Sequence, residues 1–191
     1  MKKRILLTND DGYSSIGIIK LYNILKSEYD VTVIAPRENT SAISHSITLG
    51  KEIIFRYEEN NFISVTGTPT DCIYLALKDL FKNRPDLIIS GVNIGYNMGE
   101  NITYSGTVAA AIEGALFSIR SIAVSIASDN NMNFDIVEKV LPELIKKVLN
   151  LKSKKILLNI NFPSIEYSRC RGIKVSTIGS GVKYCPMPAL I

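Results

Sequence analysis

The chain has 191 residues, of which 46% are hydrophobic and 21% charged, and its formal net charge is +4. This composition predicts one globular domain with a real core. Its basic cluster between Lys139 and Lys155 is interleaved with glutamates, which favours a solvated helix face over a nucleic-acid-binding stripe. No apolar run approaches the length of a membrane span, and the basic start precedes too few apolar residues for a signal peptide.

Apolar periodicity divides the first half of the chain into alternating strands and helices. Residues 4–8 form a short apolar run before Asn-Asp-Asp-Gly, which predicts a buried strand followed by a turn. A helix is predicted at 16–25, and strands are predicted at 31–35, 47–55 and 62–65. Thr68-Pro69-Thr70-Asp71 has the residues of a capped helix start, so a second helix is expected to run to about Lys82.

The second half of the chain continues the same alternation. A buried strand is predicted at 86–90, before a loop rich in glycine and asparagine at 91–104. Ser105 precedes an alanine-rich helix that ends near Ser118, and a strand, a helix and a strand follow at 122–127, 134–149 and 155–160. Such alternation predicts an α/β fold with a mostly parallel sheet covered on both faces. Ligands bind at the carboxyl ends of such strands, so the polar loops 9–13, 37–46 and 91–105 are expected to converge on one edge.

The sharpest chemical feature is Asn9-Asp10-Asp11-Gly12 at the end of the first strand. Two adjacent carboxylates repel each other, and without a cation one of them would tend to protonate or turn away. A divalent metal removes this conflict, and oxygen ligands favour magnesium, manganese or calcium. The alternative is a plain polar turn, because Asp-Gly is a common turn dipeptide. Taken alone, these residues weigh equally for the two interpretations.

Three further polar residues follow strands and are candidate contributors to the same site. Ser41 could offer a hydroxyl to the metal, although an ordinary loop serine is the simpler interpretation of that residue alone. In Gly91-Val92-Asn93-Ile94-Gly95-Tyr96-Asn97, Asn93 could supply a neutral oxygen ligand and Asn97 could donate to a phosphoryl oxygen. Turn chemistry is the competing explanation for this asparagine- and glycine-rich segment.

Ser105-Gly106-Thr107 stands at the predicted start of a helix. The free backbone N–H groups and the helix dipole make such a start an anion site. Gly106 would let a phosphate approach the backbone closely, and Ser105 could also act as a simple N-cap. The two roles are compatible.

The single histidine and the sparse cysteines exclude several classes of site. His45 is the only histidine, which excludes a zinc cluster of histidines and argues against a Ser-His-Asp triad; a bystander role is favoured for it over substrate contact. Cys72, Cys170 and Cys185 form no CxxC pair, Cys72 is expected to be a core thiol, and their sparse use fits a reducing cytoplasm. No GxSxG, Walker A or GxGxxG motif occurs.

Several of these segments, taken together, resemble the SurE family of survival-protein nucleotidases. The matching stretches are ILLTNDDG at 5–12, GTPTDC at 67–72, SGVNIG at 90–95, YSGTVAAA at 104–111 and NINFP at 159–163. Their order and spacing agree with the family from residue 3 to about residue 175. The remaining 178–191 has the character of a divergent apolar tail, where family members continue through more strands and a hairpin exchanged between subunits.

The resemblance implies a Rossmann-like, three-layer fold in a single domain over 1–191 with a shortened C-terminal part. It implies a metal-dependent 5′/3′-nucleotidase that acts on nucleoside monophosphates with one Mg²⁺ or Mn²⁺, and a homodimer or higher homo-oligomer if the shortened C-terminal part permits assembly. The implied metal ligands are Asp10, Asp11, Ser41 and Asn93. The implied phosphate-side residues are Asn97, Ser105, Gly106 and Thr107.

A hydrolytic mechanism is expected in which the metal polarises the phosphoryl group and Asp10 or Asp11 orients or deprotonates the attacking water. A covalent aspartyl-phosphate is the less favoured variant. Two other functions compete with the nucleotidase. One is a protein that binds metal and nucleotide with little or no turnover, which the shortened C-terminal part suggests, and the other is a broad acid-phosphatase-like enzyme that also cleaves short polyphosphate.

Overall fold

A computed structural model describes residues 1–179 as an α/β fold built on one seven-stranded sheet. The strands are β1 (Arg4–Thr8), β2 (Asp30–Pro36), β3 (Phe55–Tyr57), β4 (Phe62–Val65), β5 (Leu87–Ile94), β6 (Arg120–Ile126) and β7 (Leu157–Phe162). The helices are α1 (Ile16–Leu25), α2 (Pro69–Leu75), α3 (Gly106–Leu116) and α4 (Asp135–Asn150). A π-helical turn, Ala76–Leu80, continues α2, and a 3-10 segment, Gly99–Tyr104, leads into α3.

The strand order explains where a ligand site can form. The sheet runs β3-β4-β2-β1-β5-β6-β7, and every neighbouring pair is parallel except the edge pair of β3 and β4. From β1 the chain builds outward first through β2 and β4, and then in the other direction through β5, β6 and β7. The order therefore reverses beside β1, and the crevice at such a switch point is where open α/β sheets bind ligands.

Helices cover both faces of the sheet, as the alternating pattern predicts. On one face, α1 and α4 bury Ile18, Leu21 and Leu141 against the sheet. On the other face, α2 and α3 bury Cys72, Ile73 and Ala110 among other residues. The predicted three-layer arrangement is thus confirmed, as is the expectation that Cys72 is a core thiol. Burial in this apolar layer, together with the negative charge of Asp71, raises the pKa of the Cys72 thiol well above its usual range.

Most predicted elements occur within a few residues of their expected bounds, and the helix start at Thr68 is capped as expected. The Thr68 hydroxyl accepts from the Asp71 N–H at 3.1 Å, and the Asp71 carboxylate accepts from the Thr68 N–H at 2.8 Å. β5 is longer than predicted, because it continues through an irregular pairing with β6 to Ile94.

The predicted strand at 47–55 is wrong over most of its length, since only Phe55–Tyr57 pairs with β4. Thr48 explains the difference: its N–H and hydroxyl donate to the Asp71 carboxylate at 3.0 and 2.6 Å. Side-chain bonds to the start of α2 therefore replace strand pairing here, and Ile47 and Leu49 remain exposed.

Two further expectations concern a membrane span and the C-terminal tail. Within residues 1–179, no helix combines the length and apolarity needed to cross a membrane. Most of the predicted divergent tail, residues 180–191, lies outside the described residues, as does Cys185.

Candidate functional site

The site is organised by the turn that follows β1. The buried Asn9 amide donates to the Gly12 carbonyl at 3.0 Å and to the Ser15 hydroxyl at 2.7 Å, which ties the turn to the start of α1. Gly12 has a φ of +101°, a backbone conformation in which any residue with a side chain would be strained. These constraints on Asn9 and Gly12 hold the two intervening residues, Asp10 and Asp11, at the carboxyl edge of the sheet.

Asp10 is the residue on which the surrounding segments converge. Its carbonyl accepts from the Thr40 N–H at 2.7 Å and from the Thr40 hydroxyl at 3.2 Å. Its carboxylate Oδ1 accepts a hydrogen bond from the Thr107 hydroxyl on α3. A Cβ on Gly106 would lie 2.8 Å from Asp10 Cβ and 3.0 Å from Oδ2, so the start of α3 rests directly on this side chain. The structure thereby brings the loop after β2 and the start of α3 to Asp10.

Asp11 is half-buried next to Asp10, and its ionisation is disfavoured. Burial, and then the negative charge of Asp10, raises the pKa of the Asp11 carboxyl from 3.8 to about 6. A divalent cation between the two carboxylates would reverse this effect, because it stabilises the ionised form of both. The electrostatic conflict expected from the adjacent aspartates is therefore present in the fold.

Replacing Asp11 by Asn is expected to stabilise the metal-free protein at neutral pH. Because its folded pKa lies above the unfolded one, the penalty is absent below 3.8, grows up to about 6 and is complete above that pH. Since Asp11 is partly exposed, solvent screening reduces the penalty to about 1–2 kcal/mol, which corresponds to a rise in Tm of about 2–8 °C.

The measurement is thermal melting of both proteins in chelator from about pH 4 to about pH 8, with Asp129→Asn as a control at an exposed aspartate. The wild type should lose stability relative to Asp11→Asn as the pH rises through this window. Parallel melting curves for the two proteins across the whole range would contradict the assignment.

Ser41 lies in the loop after β2 and Asn93 lies near the end of β5, and these two strands flank β1. Ser41 is exposed, and both its hydroxyl and its N–H donate to Asn39 Oδ1, at 2.6 and 2.7 Å. Asn93 is half-buried at the end of β5, and its amide nitrogen donates to the Gly95 carbonyl at 2.8 Å. The acceptor oxygen of Asn93 is the end of the amide that remains for a cation.

The chemistry of the available donors decides which metal would fit. Within residues 1–179, no group of three or more His, Cys, Asp or Glu side chains is placed to hold a metal ion. Asp10 and Asp11 offer carboxylate oxygens, and Ser41 and Asn93 are the neutral oxygen donors expected from the sequence. An all-oxygen set of this kind suits Mg²⁺ or Mn²⁺ and does not suit a zinc site of nitrogen and sulfur ligands.

The start of α3 has the features expected of an anion site. The Ser105 hydroxyl caps the helix by accepting from the Val108 N–H at 3.1 Å. The N–H groups of Gly106 and Thr107 belong to the first turn, which has no intrahelical acceptors, and Gly106 carries no side chain to cover them. Thr107 is fully buried, and its hydroxyl is engaged with Asp10.

The Asn97 side chain is bonded to β6, in contrast to the other candidate residues. It is buried, and its side-chain amide donates to the Ser125 hydroxyl at 2.9 Å. Its backbone is held by two asparagines of β7: Asn161 Oδ1 accepts from its N–H at 2.8 Å, and Asn159 donates to its carbonyl at 2.7 Å. The side chain of Asn97 thus braces the loop after β5. The asparagines on alternate positions of β7 were the available sequence signal for this brace, which reasoning from single motifs did not identify.

His45 forms no part of this arrangement around Asp10. Its Nε2 lies 2.9 Å from Oε2 of Glu113, on the second turn of α3. The contact links the loop after β2 to α3, and the bystander role favoured for His45 stays a prediction.

Comparison with known proteins identifies the family. Residues 5–183 match the family model described as survival protein SurE. A protein of Campylobacter lari named 5′-nucleotidase SurE is 46% identical over 190 residues, covering 94% of this chain and 74% of that protein. A protein of the same name from Nitrosomonas eutropha is 44% identical over 185 residues, covering 96% and 75%.

A solved structure agrees with this match. The crystal structure of a SurE protein from Aquifex aeolicus superposes with a TM-score of 0.83 at 43% identity, covering 90% of this chain and 70% of that one. The shared fold and the match along almost the whole sequence carry one conclusion: the chain belongs to the SurE family.

Proposed function

We propose that this chain is a metal-dependent 5′-nucleotidase, a hydrolase that releases phosphate from nucleoside monophosphates. The relatives that it matches over most of its length are named 5′-nucleotidase, which supports hydrolysis of a phosphate monoester as the reaction. The finer points, namely the metal, the residues that act and the nucleotide specificity, are proposed from the site itself.

One observation carries the proposal: a pair of adjacent carboxylates lies against the start of a helix. Asp10 touches α3 through Thr107 and Gly106, so a carboxylate and free backbone N–H groups lie side by side. The N–H groups favour an anion, whereas the carboxylates of Asp10 and Asp11 would repel one. A divalent cation held by Asp10 and Asp11 would resolve this opposition, and it would supply charge neutralisation and lower the pKa of a nearby water molecule.

The remaining steps, namely phosphate binding, orientation of the carboxylate and activation of water, are assigned to residues of the chain. The N–H groups of Gly106 and Thr107 bind equatorial phosphoryl oxygens and stabilise the charge that develops on them. Thr107 holds the Asp10 carboxylate in one orientation through its hydroxyl. Asp10 or Asp11 orients the attacking water and accepts its proton. Attack by an aspartate on phosphorus, with a covalent aspartyl-phosphate, is the less favoured route.

The test is phosphate release by the purified chain from nucleoside monophosphates with Mg²⁺, Mn²⁺ or chelator. Release that requires metal and stops in chelator is expected. A panel of 5′- and 3′-monophosphates, p-nitrophenyl phosphate and tripolyphosphate gives the specificity. Equal rates on every compound of this panel would favour the broad phosphatase instead.

Melting temperature with and without metal completes the experiment. A protein that gains stability from Mn²⁺ and yet releases no phosphate from any ester would replace the enzyme with a binding protein of little or no turnover. Two expectations stay predictions: assembly into a homodimer or higher oligomer, which the family resemblance implies, and a cytoplasmic location, which the sparse cysteines favour.

A further inference from the structure

An exposed aromatic residue stands at the start of the proposed phosphate site. Tyr104 immediately precedes the N-cap Ser105, and 63% of its surface is exposed. Within residues 1–179 its ring forms no aromatic pair, unlike the ring of Tyr57. Isolated exposed apolar side chains are ordinary on protein surfaces, so exposure alone assigns no role.

The backbone that carries Tyr104 is held firmly while its ring is left open. The Tyr104 carbonyl accepts from the Ser44 N–H at 3.0 Å, and the neighbouring Thr103 carbonyl accepts from the Ser44 hydroxyl at 2.7 Å. The Thr103 hydroxyl also donates to the Glu100 carbonyl at 2.7 Å. A fixed backbone presents an aromatic ring at low cost in conformational entropy, which is what a stacking surface requires.

The loop that connects β5 to α3 carries further exposed apolar side chains. Tyr96 and Met98 are 41% and 49% exposed, and they flank Asn97, whose backbone is bonded to both β7 asparagines. Exposed apolar side chains thus occur at two places in this loop where the backbone is held by hydrogen bonds, around Asn97 and at Tyr104.

The chemistry of the proposed substrate identifies what such a surface would contact. A nucleoside monophosphate carries its base one sugar away from its phosphate, and Tyr104 is the residue next to the phosphate-binding helix start. Bases stack on aromatic side chains with little regard to sequence, because every base has a π-face.

We propose that the ring of Tyr104 stacks on the base of a nucleoside monophosphate whose phosphate lies at the start of α3. Tyr104 then selects nucleotides over phosphate monoesters that lack a base. The inference rests on the proposed function, since it assumes that the phosphate binds at Gly106 and Thr107.

The experiment compares adenosine 5′-monophosphate with ribose 5-phosphate, which has the same sugar and phosphate without the base. In Tyr104→Ala, kcat/KM for the nucleotide is expected to fall by about tenfold or more through KM, whereas the value for ribose 5-phosphate should be unchanged. Tyr104→Phe keeps the ring and should retain the nucleotide preference. Tyr57→Ala, at an exposed tyrosine on the edge strand β3, should behave as the wild type.

Calorimetric binding of both compounds, measured in parallel, separates this inference from the proposed function. If no phosphate is released, the nucleotidase proposal fails, and the stacking inference is judged by binding alone. Weaker binding of the nucleotide in Tyr104→Ala with unchanged binding of ribose 5-phosphate supports it. An equal loss for both compounds, or no preference for the nucleotide in the wild type, overturns it.

Discussion

Replacing Asp10 by Asn is expected to lower kcat/KM for metal-dependent phosphate release by about 10²–10³-fold, since charge stabilisation by a metal supplies several kcal/mol. The substitution removes one of the two adjacent negative charges and keeps the shape of the side chain. An amide oxygen can still accept the hydrogen bond from Thr107, so the fold around α3 should be retained. The loss should therefore be one of metal binding and chemistry.

The measurement pairs steady-state kinetics on a nucleoside monophosphate with thermal melting. Asp30→Asn is the matched control, because Asp30 is an exposed aspartate at the opposite end of β2. The control should keep wild-type activity, and Asp10→Asn should lose both activity and stabilisation by Mn²⁺. Undiminished turnover in well-folded Asp10→Asn would remove this residue from the catalytic site.

Replacing Gly17 by Ala is expected to destabilise the fold by about 3 kcal/mol, and thus to lower Tm by about 6–12 °C. Helix propensity alone predicts the opposite sign, because Ala is favoured over Gly in a helix by about 1 kcal/mol. The contact decides the outcome: a Cβ on Gly17 would lie 1.9 Å from the carbonyl oxygen of Val92. Since that atom belongs to the backbone of β5, relief requires a shift of α1 or of the strand that carries Asn93.

Urea denaturation monitored by circular dichroism provides the test. Asn23→Ala is the control, an exposed position in the same helix where alanine should be neutral or slightly stabilising. If Gly17→Ala unfolds at the same urea concentration as the wild type, or at a higher one, the close contact between Gly17 and the Val92 carbonyl is contradicted. A displaced β5 should also weaken metal binding, since Asn93 is expected to move with it.

Local sequence predicted the elements whose formation depends on near neighbours. The capping box at Thr68 and Asp71 was recognisable because both partners lie within one helical turn. The strand β1 and the helix α1 follow from apolar periodicity, which records which face each element buries. Periodicity failed at 47–54, where Thr48 is bonded to a carboxylate that lies 23 residues further along the chain.

Apolar periodicity and the alternation of elements were sufficient to predict that the chain forms a covered, mostly parallel sheet and that its polar loops follow the strands. From these two facts the carboxyl edge could be named as the site, since parallel strands bring those loops together. Motif resemblance added the family, but it did not show what each residue contacts.

The contacts of the individual side chains depend on how distant segments pack together. Thr107 meets Asp10 across a separation of 97 residues, and Asn97 meets Asn161 across 64. The raised pKa of Asp11 depends on how much of it is buried, which no local pattern encodes. Contacts between distant residues depend on the packing of whole layers, so the sequence names the chemical groups of this site while the fold sets their partners.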